Sequence, residues 1–267
     1  MENKMKRLAL LLLFSACLAV NALAASPEEI IQKSQTAFFY PGKDFKARVM
    51  MKLISPGGQE RVREMTMLRL NTGAAGGEQK YFMYFFQPAE VKDMTFMVFK
   101  YPEKDDDRWL FVPAINMVRR IAMQDKQASF VGSDFTYEDV SGRDLADDAH
   151  ELVREETLNG KACFVIKSTP KADSASHGHK LSWVDKATWL PMKEEYYDRT
   201  GRTVRLFTAD EVQMVKGFPT ITRRTMKNLQ SGHRTEVSYA SQDYNIGLDP
   251  GLFSERFLRQ PPKKWID

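Results

Sequence analysis

Residues 105–121 read D-D-D-R-W-L-F-V-P-A-I-N-M-V-R-R-I, and their interpretation decides the fold. The part from 107 to 112 has the length of a strand, and Trp109, Leu110, Phe111 and Val112 are apolar without interruption. A strand with one face in water alternates apolar and polar residues. This one does not, so both of its faces need cover. The two stretches before it behave the same way. In 81–86, Phe82, Tyr84 and Phe86 alternate with Tyr81, Met83 and Phe85; in 94–101, Met94, Phe96 and Val98 alternate with Met97, Phe99 and Tyr101. Residues 234–239 are different, because Thr235, Val237 and Tyr239 lie opposite Arg234, Glu236 and Ser238, which leaves one face wet.

Outward from this block the pattern is mostly β. Residues 45–53 alternate well, with Phe45, Ala47, Val49, Met51 and Leu53 on one side. Further strands are expected at 61–70, 81–87, 94–101, 107–112 and 117–121, then at 151–157, 161–168, 180–184, 192–197, 203–212, 220–226 and 234–239. Asn159-Gly160, Thr200-Gly201 and Ser231-Gly232 mark hairpins. Ser26-Pro27-Glu28-Glu29 opens a helix, with a capping serine, proline in the first turn and acids near the positive end of the dipole. The turn-rich segment 122–146 should hold a short helix capped by Ser133 or Asp134. A last short helix should follow Asp249-Pro250-Gly251, and the Pro- and Lys-rich tail from Gln260 reads as loose. There are no βαβ units and no fixed-period repeat. The class is mainly β: one large antiparallel sheet in a single domain over 25–267, curved because so large a sheet rarely stays flat, with a few covering helices.

The N-terminus carries Lys4, Lys6 and Arg7, an apolar run over 8–13 and a small-x-small site at Ala22-Leu23-Ala24. That is the pattern of a secretory signal peptide over 1–24, and it predicts an exported, periplasmic protein. Cys17, in Phe14-Ser15-Ala16-Cys17, offers lipid anchoring as the alternative. The whole chain has 39 Lys and Arg against 35 Asp and Glu, a net charge of +4. Without the leader the excess shrinks further, so no nucleic-acid footprint is expected. Beyond the leader only Cys163 remains, inside an apolar run, so no internal disulfide can form and the thiol should be buried.

Catalytic constellations are weak. His177-Gly178-His179 lacks matching metal ligands, Asp105-Asp106-Asp107 lacks the spacing of a calcium loop, and Glu194-Glu195 points to opposite faces of a strand. No nucleophile elbow or phosphate loop is present. No catalytic residue, metal or cofactor is expected. Arg119-Arg120 and Arg223-Arg224 are basic pairs within strands. They either pair with acidic turns, or an inward member meets a lipid head group or gates a cavity.

The signal peptide, one helix, long hairpins, R-W-L-F-V-P-A-I-N-M-V-R-R-I and the later F-V-G-S-D-F-T-Y-E-D together resemble the outer membrane lipoprotein-sorting protein family, distant relatives of the periplasmic carrier LolA. The resemblance implies an incomplete β-barrel whose apolar side is covered by helices and shelters the acyl chains of a lipoprotein or lipid. It also implies possible association with an inner-membrane exporter of the resistance-nodulation-division class, or with an outer-membrane acceptor.

From the residues alone the early strands are either a packed core or partly the wall of an apolar cavity. The twelve methionines beyond the leader favour an adaptable surface. The cavity candidates are Val49, Met51, Met65, Met67, Phe82, Tyr84, Phe86, Phe96, Val98, Trp109 and Phe111. Arg119 and Arg120 are the head-group or gating candidates, and the N-terminal helix and segment 122–146 are the expected covers. A non-catalytic adaptor subunit of an exporter and an envelope hydrolase are the competing functions.

Overall fold

A computed structural model describes residues 25–73, 77–102, 104–172 and 177–266. The expected signal peptide, with Cys17, lies outside the described residues, as do 74–76, 103, 173–176 and 267. Thirteen strands form one antiparallel sheet: β1 (Asp44–Ile54), β2 (Glu60–Asn71), β3 (Gln79–Gln87), β4 (Thr95–Lys100), β5 (Asp107–Val112), β6 (Met117–Arg120), β7 (Asp148–Leu158), β8 (Lys161–Pro170), β9 (His179–Asp185), β10 (Pro191–Tyr197), β11 (Thr203–Val215), β12 (Phe218–Asn228) and β13 (Arg234–Tyr244). Their spatial order is β6-β5-β4-β3-β2-β1-β13-β12-β11-β10-β9-β8-β7. Two meanders therefore run outward from a central seam between β1 and β13. The sheet is an open, incomplete barrel with β6 and β7 as its two edges.

Hairpin registers align the faces. Ala47, Met67, Met83, Phe96 and Leu110 form one continuous row across five strands. Leu68, Phe82, Met97 and Trp109 form the row on the other side. We call the first side the inner face. Its residues join those of β10 to β13, such as Tyr196, Phe207, Met226 and Val237, in one apolar cluster.

The connection from β6 to β7 must travel from one edge of the sheet to the other, and it does so across the inner face. This strap, residues 121–147, buries Phe130, Phe135 and Tyr137 against Phe85 and Phe96. Its helix α2 (Tyr137–Ser141) is capped by Thr136, with Asp139 closing the capping box. The expected cap residues do other work. The Ser133 hydroxyl donates to the Phe130 carbonyl at 2.7 Å, and Asp134 accepts from Thr235 Oγ1 at 2.7 Å and bonds His233 Nδ1 at 2.6 Å. Helix α1 (Pro27–Phe39) begins at Ser26 with the reciprocal Ser26–Glu29 capping box. Its Ile30 and Ile31 pack on Ile166 and Val184 of β8 and β9.

The second face of the early strands is covered by the end of the chain. Beyond β13, a 3₁₀ turn (Pro250–Leu252), α3 (Glu255–Arg259) and α4 (Lys263–Ile266) lay Leu252, Phe253, Leu258 and Ile266 over Leu68, Phe82, Met97 and Phe111. Thr66 Oγ1 donates to the Ile266 carbonyl and Thr95 Oγ1 to the Leu258 carbonyl, each at 2.7 Å. The tail is thus docked rather than loose, and it, not α1 or the strap, answers for the outer face. Each fully buried side chain there, Phe82, Met97 and Leu258 among them, contributes roughly 1.5–3 kcal/mol.

Candidate functional site

The inner face is not uniform. Under the strap, over β2 to β5, the rings of Phe85, Phe96, Phe130 and Tyr137 interlock at centroid distances of 5.2–6.1 Å, and Phe85, Phe96 and Val98 are completely buried. Under α1, over β9 to β13 and reaching β1 to β3, the packing leaves room. One hollow of about 100 Å³ lies beneath Ser34, Gln35 and Phe38 of α1, with Tyr196, Phe207 and Met226 on its floor. A second, of about 50 Å³, continues past Phe38 and Phe39 to Phe45, Met67, Arg69 and Tyr244. Phe38, Phe39 and Arg224 line both.

The sequence candidates divide accordingly. Val49, Met51, Met65, Met67, Phe96 and Val98 belong to the inner cluster, and of these only Met67 lines either hollow. Phe82, Tyr84, Phe86, Trp109 and Phe111 belong to the outer face beneath the C-terminal segment. The reason is register: Phe82 sits opposite Met97, whereas Phe96 sits opposite Met83, so Phe82 and Phe96 face opposite ways. Arg119 and Arg120 lie on the edge strand β6, with side chains 64% and 70% exposed. They pair with Asp125 and Asp107, the acidic-turn alternative, and line neither hollow. Sequence reasoning missed Phe38, Phe207, Tyr196 and Arg69. Only Arg69 left a signal, as an arginine in phase with Met65 and Met67.

The larger hollow has a polar wall whose charges are paired. Arg205 of β11 ion-pairs with Asp139 of the strap. Burial alone would raise the Asp139 pKa, but Arg205 and the Thr136 hydrogen bonds hold it below the usual carboxylate value. Glu194 accepts from Lys180 Nζ at 2.7 Å, Tyr196 OH at 2.8 Å and Ser182 Oγ at 3.0 Å. Burial would lower the Lys180 pKa, yet Glu194 raises it, so Lys180 stays charged. Glu138 is held by Arg143 and Lys126, both at 3.1 Å. His177, buried against the Tyr196 ring at 5.4 Å, is pushed down to about 4 by burial and then by Lys180, and is neutral at pH 7.

Among the described residues no cluster of His, Cys, Asp and Glu could hold a metal ion. His150 Nδ1 does lie 2.9 Å from Ser168 Oγ, but Ser168 is 1% exposed and beyond the reach of a substrate carbonyl.

A family model described as "-like: Uncharacterized protein" matches residues 77–260, more than half of the chain. A DUF1329 family protein from Desulfovibrio piger is 26% identical, with a TM-score of 0.79 over 88% of this chain and 100% of that one. A domain from Vibrio parahaemolyticus named for outer membrane lipoprotein sorting is 27% identical, with a TM-score of 0.79 over 87% of this chain and 98% of its own. The chain belongs to the family of that model, and it is similar over most of its length to the DUF1329 and lipoprotein-sorting proteins. A LolA superfamily protein from Nitrosomonas europaea shares the LolA-like fold at a TM-score of 0.67 and 19% identity, over 88% of this chain and 100% of that one. No curated protein matches the chain.

Proposed function

We propose that this LolA-like protein is an exported, periplasmic carrier that shelters the acyl chains of a lipoprotein or lipid between its inner face and its helical cover. It takes them from an inner-membrane source, such as an exporter of the resistance-nodulation-division class, and yields them to an outer-membrane acceptor. The observation that carries the proposal is the pair of adjoining hollows under α1, where aromatic and thioether side chains meet a wall of paired charges.

The physics of carriage fits this site. Sheltering each methylene is worth about 0.8 kcal/mol, so a long chain gains enough to leave a bilayer only if most of its length is covered. Sites for small molecules usually measure roughly 300–1,000 Å³. A hollow of about 100 Å³ must therefore widen as the chain enters. Helix α1 is built to allow that. Its first turns are anchored by Ile30 and Ile31, while Gln35 to Phe39 are only half-buried over the hollow. Release reverses the motion, with no chemical step and no cofactor. The proteins named for LolA and for lipoprotein sorting share this architecture, which supports the same class of cargo here.

Extraction of the protein purified from the periplasm, followed by mass spectrometry, should recover an acyl-bearing species at close to one per chain. A neutral hydrophobic dye should bind the stripped protein and be displaced by that extract. Absence of any acyl species, together with exclusion of the dye, would leave the adaptor function in its place.

A further inference from the structure

The two hollows share an imbalance of charge. In the larger one, three carboxylates (Glu138, Asp139 and Glu194) meet Arg143, Arg205 and Lys180, and each is ion-paired. Arg224 stands outside that balance. Among the described residues it makes no ion pair, and its Nε is buried without a hydrogen-bond partner. Its guanidinium lies instead against the rings of Phe38 and Phe135, each at 5.3 Å, and of Tyr239 at 5.8 Å.

The smaller hollow is lined by Arg224 and Arg69 and by no carboxylate. Arg69 is 4% exposed and its Nε is also buried and unpartnered. It donates through Nη2 to the Pro41 carbonyl just beyond α1 and lies 5.2 Å from the Phe45 ring. Phe45 in turn meets Tyr239 at 6.4 Å, so one pair of rings separates the two cations. Asp44, whose charge supports Arg69, is engaged by the backbone N–H groups of Ile246, Gly247 and Leu248 at 2.7–3.1 Å. Burial lowers the Arg69 pKa, the expected response of a cation that lacks a counterion.

Two guanidinium groups held in an apolar, aromatic pocket are unfavourable unless an anion arrives. Their geometry suits a carboxylate or phosphate, which takes two parallel N–H bonds from a guanidinium. The acylated end of a lipoprotein offers ester and amide carbonyls at that position, and no anion. We propose that the guest is an anionic amphiphile, its carboxylate or phosphate head held by Arg224 where the two hollows share a wall, with Arg69 adding positive charge from beyond the ring pair, and its chain lying under α1 in the larger hollow. This rests on the carrier function proposed above and selects among its cargoes.

The test uses the full mature chain, stripped of lipid, with a neutral fluorescent dye in the hollow. Three probes of one chain length compete with the dye below their micellar concentrations: palmitate, palmitoyl lysophosphatidate and uncharged monopalmitoylglycerol. At least one anionic probe should displace the dye at a concentration roughly tenfold lower than the glyceride, the scale of one charge-assisted bond. Preference for palmitate alone assigns a carboxylate head, and preference for lysophosphatidate alone a phosphate head. Arg224→Gln should erase the preference, read as the ratio of anionic-probe to glyceride displacement in the same variant, and Arg224→Lys should keep part of it. Glyceride binding in both variants shows that the pocket still folds; if Arg224→Gln does not fold, the wild-type preference and the Arg224→Lys response decide. Equal displacement by all three probes, or a preference that survives Arg224→Gln, overturns the anionic head group and leaves the carrier standing. Binding of none of them removes the carrier, and the head group with it.

Discussion

The two halves of the inner face are made of the same kinds of residue and do different things. Over β2 to β5 the sheet is covered on both sides, by the strap within and by the C-terminal segment without. Beneath the strap the rings interlock and leave no hollow among Phe85, Phe96, Phe130 and Tyr137. Over β9 to β13 the inner face is covered by α1, while outer-face residues such as Arg223, Lys227 and Glu236 remain wholly or partly in solvent. Packing there leaves the larger hollow and a wall of buried charge, and the smaller hollow runs on from β12 and β13 to Phe45, Arg69 and Tyr81 of β1 to β3. Greasiness alone therefore does not locate a binding site. The greasiest strands form the rigid part, and the space lies beside them, where a helix spans a surface that carries polar groups and cannot close tightly on it.

This contrast can be broken most directly in the rigid half. Phe96→Asp, at a position with no exposure, should destabilise the protein by about 4 kcal/mol or more, read as lost cooperativity in urea unfolding. Phe38→Asp, half-buried over the hollows, should lose less than about half as much and should abolish dye binding. Equal destabilisation at both sites would show that the halves are packed alike.

Leu258→Ala should remove about 3 kcal/mol by opening a cavity under α3. Acyl binding measured at low denaturant should be unchanged, because the outer face takes no part in it.

The compliant half should also be the one that senses acid. His177 is held neutral, its pKa falling from 6.5 to about 4 on folding. A depressed folded pKa gives stability that is fully present above pH 6.5 and is lost as the pH falls toward 4. The loss should reach about 2–3 kcal/mol, visible as a falling melting temperature between those limits. His177→Gln should flatten that slope. The depressed carboxyl of Asp139 adds its own loss only below its unfolded value of 3.8.

Asp139→Asn removes the ion pair between strap and β11 and should lower stability by roughly 1.5–3 kcal/mol. Hydrogen exchange should speed up in α2 before it does in β3 or β4. At the small end, Arg120→Ala should change stability by no more than about 0.5 kcal/mol and leave binding intact, since its partner contact is largely in water.

What was legible in the sequence follows the same division. All thirteen strands, the capped N-terminal helix and the split of each strand into two faces could be read from period-two alternation and turn residues. Which face of one strand adjoins which face of the next could not. That depends on hairpin register, and a slip of one residue exchanges the faces. Phe82 and Phe96 were grouped on one wall for that reason, although the 88–94 connection places Phe96 beside Met83. The cover of the outer face was hidden by composition. Pro261, Pro262, Lys263 and Lys264 read as a loose tail, while Leu258 and Ile266 on either side of them dock in the core. Arg224 is visible in the sequence as a member of a basic pair of which one side chain points inward. Its isolation from any carboxylate was not, because the acids that could have met it, Asp139 and Glu194, are already held by Arg205 and Lys180.

The seam between β1 and β13 has a consequence for how the molecule comes into being. Phe45 and Tyr244, neighbours across that seam, are separated by almost the whole described sequence. Each meander can zip up from its own hairpins, but the two can join only once the last strand has emerged. Closing so large a loop is entropically unfavourable and slow. Until it happens, the smaller hollow has its wall divided between two half-sheets, Phe45 and Tyr81 on one and Tyr239 and Tyr244 on the other, and the full enclosure for a hydrocarbon arrives as the final event of folding.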